Sequence, residues 1–100
     1  MKDEALGYIA DSTARIAANR QDAKLLAQAL EIGEMISVSV YKGYALREIS
    51  YAAARLGNWR QARRLAQSIE NGALKATALS RILLLWAEQT NPTLAQPDAE

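Results

Sequence analysis

An eight-residue pattern, Lys-x-x-Ala-Leu-x-x-Ile, occurs three times in this chain of 100 residues. The copies occupy residues 2–9, 42–49 and 75–82, so they begin 40 and then 33 residues apart. Self-similarity at such periods is typical of stacked helical repeats, in which each unit buries its apolar face only against its neighbours. The pattern therefore predicts an all-α domain of five helices, stacked as antiparallel helical hairpins in a short α-solenoid.

The residue types that are missing limit the chemistry of this chain. It contains no cysteine and no histidine, which removes thiolate nucleophiles, Cys-ligated metals and the commonest general base. Its five glycines are dispersed and form no phosphate-binding loop. We therefore expect that the protein is not an enzyme and has no catalytic residue, no metal ion and no cofactor.

The N-terminal residues do not form a secretory signal. Residues 1–10 contain Asp3 and Glu4 and no apolar core run. The longest strongly apolar run, residues 82–87, is too short to span a bilayer. The expectation is a cytoplasmic protein without membrane contact.

Charge is spread unevenly along the chain, although the net charge is only +1. Residues 35–66 carry six basic groups and one acid, whereas acids outnumber basic groups in residues 1–34 and 67–100. Such asymmetry indicates a possible docking surface.

Hydrophobic periodicity predicts five helices, over residues 3–18, 21–32, 34–56, 59–70 and 73–89. Gly33 is expected to stop the second helix, because glycine readily adopts the left-handed cap conformation. Residues 36–40 alternate as a strand would, but a lone strand would have no partner. We therefore assign them to the first turns of a long third helix.

The repeat divides the predicted helical domain, residues 1–89, into units 2–41 and 42–74 and a half unit 75–89. The tail, residues 90–100, is polar and holds both prolines, and it is predicted to be disordered. On the first helix, the predicted inward residues are Leu6, Ile9, Thr13 and Ile16.

The second unit resembles a tetratricopeptide repeat, a family of paired antiparallel helices. The matching positions are Leu46, Ile49, Ser50, Ala53, Gly57, Ala62 and Ala66. The usual tryptophan, tyrosine and closing proline of that family are missing, and no family ligand residue can be carried over. The resemblance implies a scaffold that binds a peptide or protein without catalysis, such as an adaptor or a small chaperone.

The first candidate binding residues are Arg60, Arg63 and Arg64, which lie opposite the apolar stripe of the fourth helix. They form either a solvated helix face, a docking surface for an acidic protein partner, or part of a nucleic-acid site. Tyr44 and Tyr51 are seven residues apart and share a face of the third helix, where they either pack or line a groove.

The fifth helix is apolar nearly all round, which is normal only for a helix that is covered on all sides. Leu79, Ile82, Leu83 and Trp86 are predicted to point inward. Leu84 then points nearly opposite and Leu85 to the side, so we expect a second copy to cover this helix in a homo-oligomer. Shielding by residues 90–100 is the alternative.

The sequence therefore predicts a non-catalytic protein–protein interaction module. The predicted protein-binding residues are Tyr44, Tyr51, Arg60, Arg63, Arg64, Leu84, Leu85 and Trp86. Two alternatives stay open: a nucleic-acid-binding protein that uses the basic segment 35–66, and a structural fragment of a longer helical-repeat array.

Overall fold

The computed structural model describes residues 2–90, which form five α-helices and no strand. The helices are α1 (Lys2–Arg20), α2 (Ala23–Glu34), α3 (Ser39–Arg55), α4 (Trp59–Gln67) and α5 (Gly72–Thr90). The prediction of an all-α chain with five helices is confirmed. Of the predicted disordered tail, Thr90 belongs to α5, and the remainder lies outside the described residues.

Helix α3 is the centre of the arrangement. It contacts each of the other four helices, whereas α1 and α5 both contact α3 but not each other. Helix α2 also contacts α1, and α4 also contacts α5. Within residues 2–90, α5 therefore has two neighbouring helices while α3 has four.

The turns that follow α1 and α3 are built in the same way. Each places one residue at positive φ, Gln21 at 54° and Gly57 at 86°. The next amide donates back to the carbonyl of Ala17 in the first turn and of Ala53 in the second, at 2.9 Å in both. This is the Schellman arrangement, which satisfies the free carbonyls at a helix end.

The connection between α2 and α3 corrects the prediction that the third helix begins at residue 34. Helix α2 continues to Glu34, and α3 begins only at Ser39. Ile36 is buried in this connection, at 2% exposure. The Asp3 carboxylate of α1 accepts hydrogen bonds from the amides of Ser37 and Val38, at 3.1 and 2.9 Å. The Asp3 carboxylate thus binds the two amides that directly precede α3. The N-cap residue, Val38, makes no side-chain cap hydrogen bond of its own.

The hydrogen bonds at the helix starts fix the register of the repeat. The Lys42 amide donates to Val38 and the Lys75 amide donates to Asn71, so the second and third octapeptides occupy equivalent places. The first octapeptide does not occupy an equivalent place. The turns after α1 and α3 are 36 residues apart, whereas the first two octapeptides begin 40 residues apart. The two spacings differ by four residues, about one helical turn. A shift of that size leaves an alanine-rich pattern on the same face of the helix.

Small residues form much of the core. The buried side chains of α1 are Ala10, Ala14, Ala17 and Ala18. The prediction that Ile9 and Ile16 point inward is wrong, since they are 50% and 43% exposed.

Gly33 is also not a cap. It is buried within the last turn of α2, where an added Cβ would lie 3.0 Å from Ile49 Cδ1. It therefore serves close packing of α2 against α3.

Candidate protein-binding surfaces

A large apolar depression lies between α4 and α5, with a volume of about 590 Å³. We call it the tryptophan groove. Its lining residues are Trp59, Arg60, Arg63, Leu79, Ile82, Leu83 and Trp86. Both tryptophans of the chain are among them.

The groove combines apolar walls with a basic rim. Leu83 is 64% exposed and Trp86 is 48% exposed, although both are large apolar side chains that burial would stabilise. Arg60 and Arg63 are exposed on the α4 side, and no carboxylate from the described part of the chain lines the groove. Aromatic and arginine side chains are enriched in protein-binding surfaces.

All four tyrosines lie on a different surface, which we call the tyrosine face. A depression between α1 and α3, of about 220 Å³, is lined by Tyr8, Tyr41 and Tyr44 together with charged residues of both helices. Tyr51 lines the next depression along α3, of about 340 Å³. Alanines of α1 and α3 form part of the second depression's lining, which lets the two helices lie close together there.

Ion pairs stiffen the tyrosine face. The Glu48 carboxylate accepts a hydrogen bond from Arg81 Nη1 at 3.0 Å and lies 3.5 Å from Arg47 Nε. The Arg81 guanidinium carbon lies 4.1 Å from the centre of the Tyr51 ring, within cation–π distance. Because Arg81 belongs to α5 and the other residues to α3, this cluster ties α5 to α3.

The structure brings together only some of the predicted binding residues. Arg60, Arg63 and Trp86 meet in the tryptophan groove. Tyr44 and Tyr51 lie instead on the tyrosine face, on the predicted common side of α3.

Three predicted binding residues line neither surface. Arg64 is exposed on α4 outside the groove. Leu84 is 63% exposed, also outside the groove. Leu85 is half-buried and packs against the core.

The predicted protein-binding residues do not include Trp59 and Leu83, which line the groove. Leu83 and Trp86 were expected to point inward, and that prediction is wrong, because no described helix covers this side of α5. The repeat itself contains a signal that distinguishes Leu83 and Trp86 from the buried residues at equivalent positions. In the register of 33 residues, Leu83 and Trp86 of α5 correspond to Ser50 and Ala53 of α3, which are small.

Two further properties concern the described residues, 2–90. No group of three His, Cys, Asp or Glu side chains in this range is placed to hold a metal ion. None of its helices is long and apolar enough to cross a membrane. Comparisons of the chain with protein-family models, curated proteins and solved structures found no match.

Proposed function

We propose that this protein is a non-catalytic protein–protein interaction module that binds its partner in the tryptophan groove. In this proposal the five helices are consecutive helical hairpins of a tetratricopeptide-like repeat, with α5 as the first helix of an unfinished unit. The observation that best supports this proposal is the exposure of Leu83 and Trp86 beside Trp59 in one apolar groove. Adaptor or chaperone roles are consistent with such a module.

Burial of the groove residues would provide the affinity, and the arginines would provide orientation. A few buried residues, most often Trp, Tyr and Arg, carry most of the binding energy at protein interfaces, while rim charges mainly accelerate association and fix register. Because Arg60 and Arg63 are positively charged, they would both accelerate the association of an acidic partner and fix its register.

Site-specific photo-crosslinking tests this proposal. A benzophenone amino acid is placed at Leu83 in one variant and at Ile16, an exposed apolar residue of α1, in the control. We expect the Leu83 variant, expressed in its source organism, to crosslink one defined protein that the Ile16 variant does not. Equal and unspecific crosslinking from both positions would contradict the proposal.

Self-association is a second candidate, because Leu84 is 63% exposed on α5 outside the groove. A pair of copies that meet through this side would bury an otherwise costly apolar side chain. We expect light scattering to give twice the monomer mass for the wild type and the monomer mass for Leu84→Glu. A monomeric wild type would rule this candidate out.

The nucleic-acid alternative has no comparable support. Five of the six basic residues of segment 35–66 line four depressions rather than one track: Lys42, Arg47, Arg55, and the pair Arg60 and Arg63. Lys42 lies 3.8 Å from Glu34, and Arg47 lies 3.5 Å from Glu48, so part of this charge is already paired. A steep loss of nucleic-acid affinity with salt would favour this alternative.

A further inference from the structure

Helices α3 and α5 occupy equivalent places in the repeat, so the cover of α3 indicates what is missing from the tryptophan groove beside α5. Leu46, Ser50 and Ala53 recur at i, i+4 and i+7 and share one face of α3. Ser50 and Ala53 are fully buried there. Leu46 shares a depression with Ser68 and Ile69, which directly follow α4. Helix α3 also contacts α4, which makes α4 the helix that best accounts for the burial of this face.

The corresponding face of α5 has no such cover. The counterparts of those three residues, 33 positions later, are Leu79, Leu83 and Trp86. All three line the tryptophan groove, and the last two are 64% and 48% exposed. Their exposure coincides with the place where a helix equivalent to α4 would pack against α5.

We propose that the tryptophan groove is completed by an amphipathic α-helix of a partner protein, with acidic residues beside its apolar stripe. This inference rests on the proposed protein-binding function and names the partner's chemistry. The helix occupies, relative to α5, the position that α4 occupies relative to α3. Such helix-in-groove recognition uses apolar anchors at i, i+3 or i+4 and i+7 on the bound helix.

Charge complementarity selects an acidic helix. Helix α4 carries Arg60, Arg63 and Arg64 and no acid. Within residues 2–90, the two arginines that line the groove meet no carboxylate there, so acidic side chains flanking the bound stripe would find opposite charges.

Two segments of the sequence are poorer candidates for this helix. The α5 helix of a second copy carries Lys75 and Arg81 against Glu88, so it would bring more positive charge to a basic rim. The ten residues after Thr90 contain two prolines, and Leu94 is their only large apolar side chain. Neither sequence matches the apolar stripe and acidic flanks that the groove requires.

The test uses two synthetic helices of about 18 residues, a length that sustains helix in water. Both have the same leucine stripe on an alanine background, flanked by glutamates in one peptide and by lysines in the other. Neither contains tryptophan, so the fluorescence of Trp59 and Trp86, the only tryptophans of the chain, reports binding directly. Titrations use the full chain at about 0.15 M ionic strength, where distant surface charges are screened.

We expect the glutamate peptide to bind about tenfold more tightly than the lysine peptide. Leu83→Glu should weaken glutamate-peptide binding at least tenfold, whereas Leu84→Glu, equally exposed but outside the groove, should leave it within twofold. Arg63→Glu should weaken the glutamate peptide and strengthen the lysine peptide. Arg64→Glu, one position further along α4 and outside the groove, is the charge-matched control.

Three results would overturn the inference. One is equal or tighter binding of the lysine peptide, and another is glutamate-peptide binding that Leu83→Glu does not change. The third is a wild-type dimer that Leu83→Glu dissociates, because a second copy would then occupy the groove. A specific photo-crosslink from Leu83 to another protein, without binding of the glutamate peptide, would remove this inference and leave the proposed function standing.

Discussion

We expect the Ile49→Ala variant to lose about 3 kcal/mol of unfolding free energy. Ile49 is fully buried on α3, the helix that contacts all four others. Its Cδ1 atom fills the space left by the missing side chain of Gly33 on α2. Truncation therefore removes apolar burial and leaves a cavity where two helices approach closely. Because domains of this size are stable by only about 5–15 kcal/mol, the loss should be large in urea unfolding followed by circular dichroism.

Ile16→Ala is the matched control, since it makes the same chemical change on α1. Ile16 is 43% exposed, so we expect its truncation to cost less than about 1 kcal/mol. Equal losses for the two variants would mean that Ile16 lies in the core, as its periodicity alone suggests, and would contradict the orientation of α1 described above.

The helices themselves were predictable because their signals are local. The apolar stripe of the fourth helix was recognised from its spacing. Its members, Ala62, Leu65, Ala66 and Ile69, are buried or half-buried, although Ile69 lies just beyond the end of α4. The positive-φ position after α3 coincides with Gly57, the expected turn glycine.

The orientation of α1 was not predictable from hydrophobicity. Periodicity ranks Ile9 and Ile16 above alanine, yet the buried positions of α1 are alanines. Gly33 was also misread: close packing against Ile49, a tertiary contact, explains it better than a local turn. The connection before α3 depends on Asp3, 34 residues before Ser37, which no local pattern reveals.

The candidate site was predictable only in part. The spacing of residues identified the solvent side of α4 and the excess apolar surface of α5. These two predictions account for three of the groove residues, Arg60, Arg63 and Trp86. The groove needs a further fact, namely that no helix within residues 2–90 covers Leu83 and Trp86 on α5. Whether a helix face is covered depends on the rest of the fold, so periodicity could not separate Leu83 from the buried Ile82.

The second large effect that we expect is a contrast between equivalent positions of α3 and α5. Ser50→Leu forces a larger side chain into a fully buried place on α3, which should cost about 2 kcal/mol of unfolding free energy. Its counterpart Leu83 is 64% exposed, so Leu83→Ala should cost less than about 1 kcal/mol. Ile82→Ala, the adjacent position at 7% exposure, is the control for a buried residue of α5 and should cost about 2–4 kcal/mol.

The unfolding free energy of Leu83→Ala, measured in urea beside Ile82→Ala and Ser50→Leu, tests most directly whether α5 presents an uncovered face. We predict a small loss for Leu83→Ala and clear losses for the other two. A loss of about 3 kcal/mol or more for Leu83→Ala, as for a core leucine, would show that this face is already covered and would contradict the account.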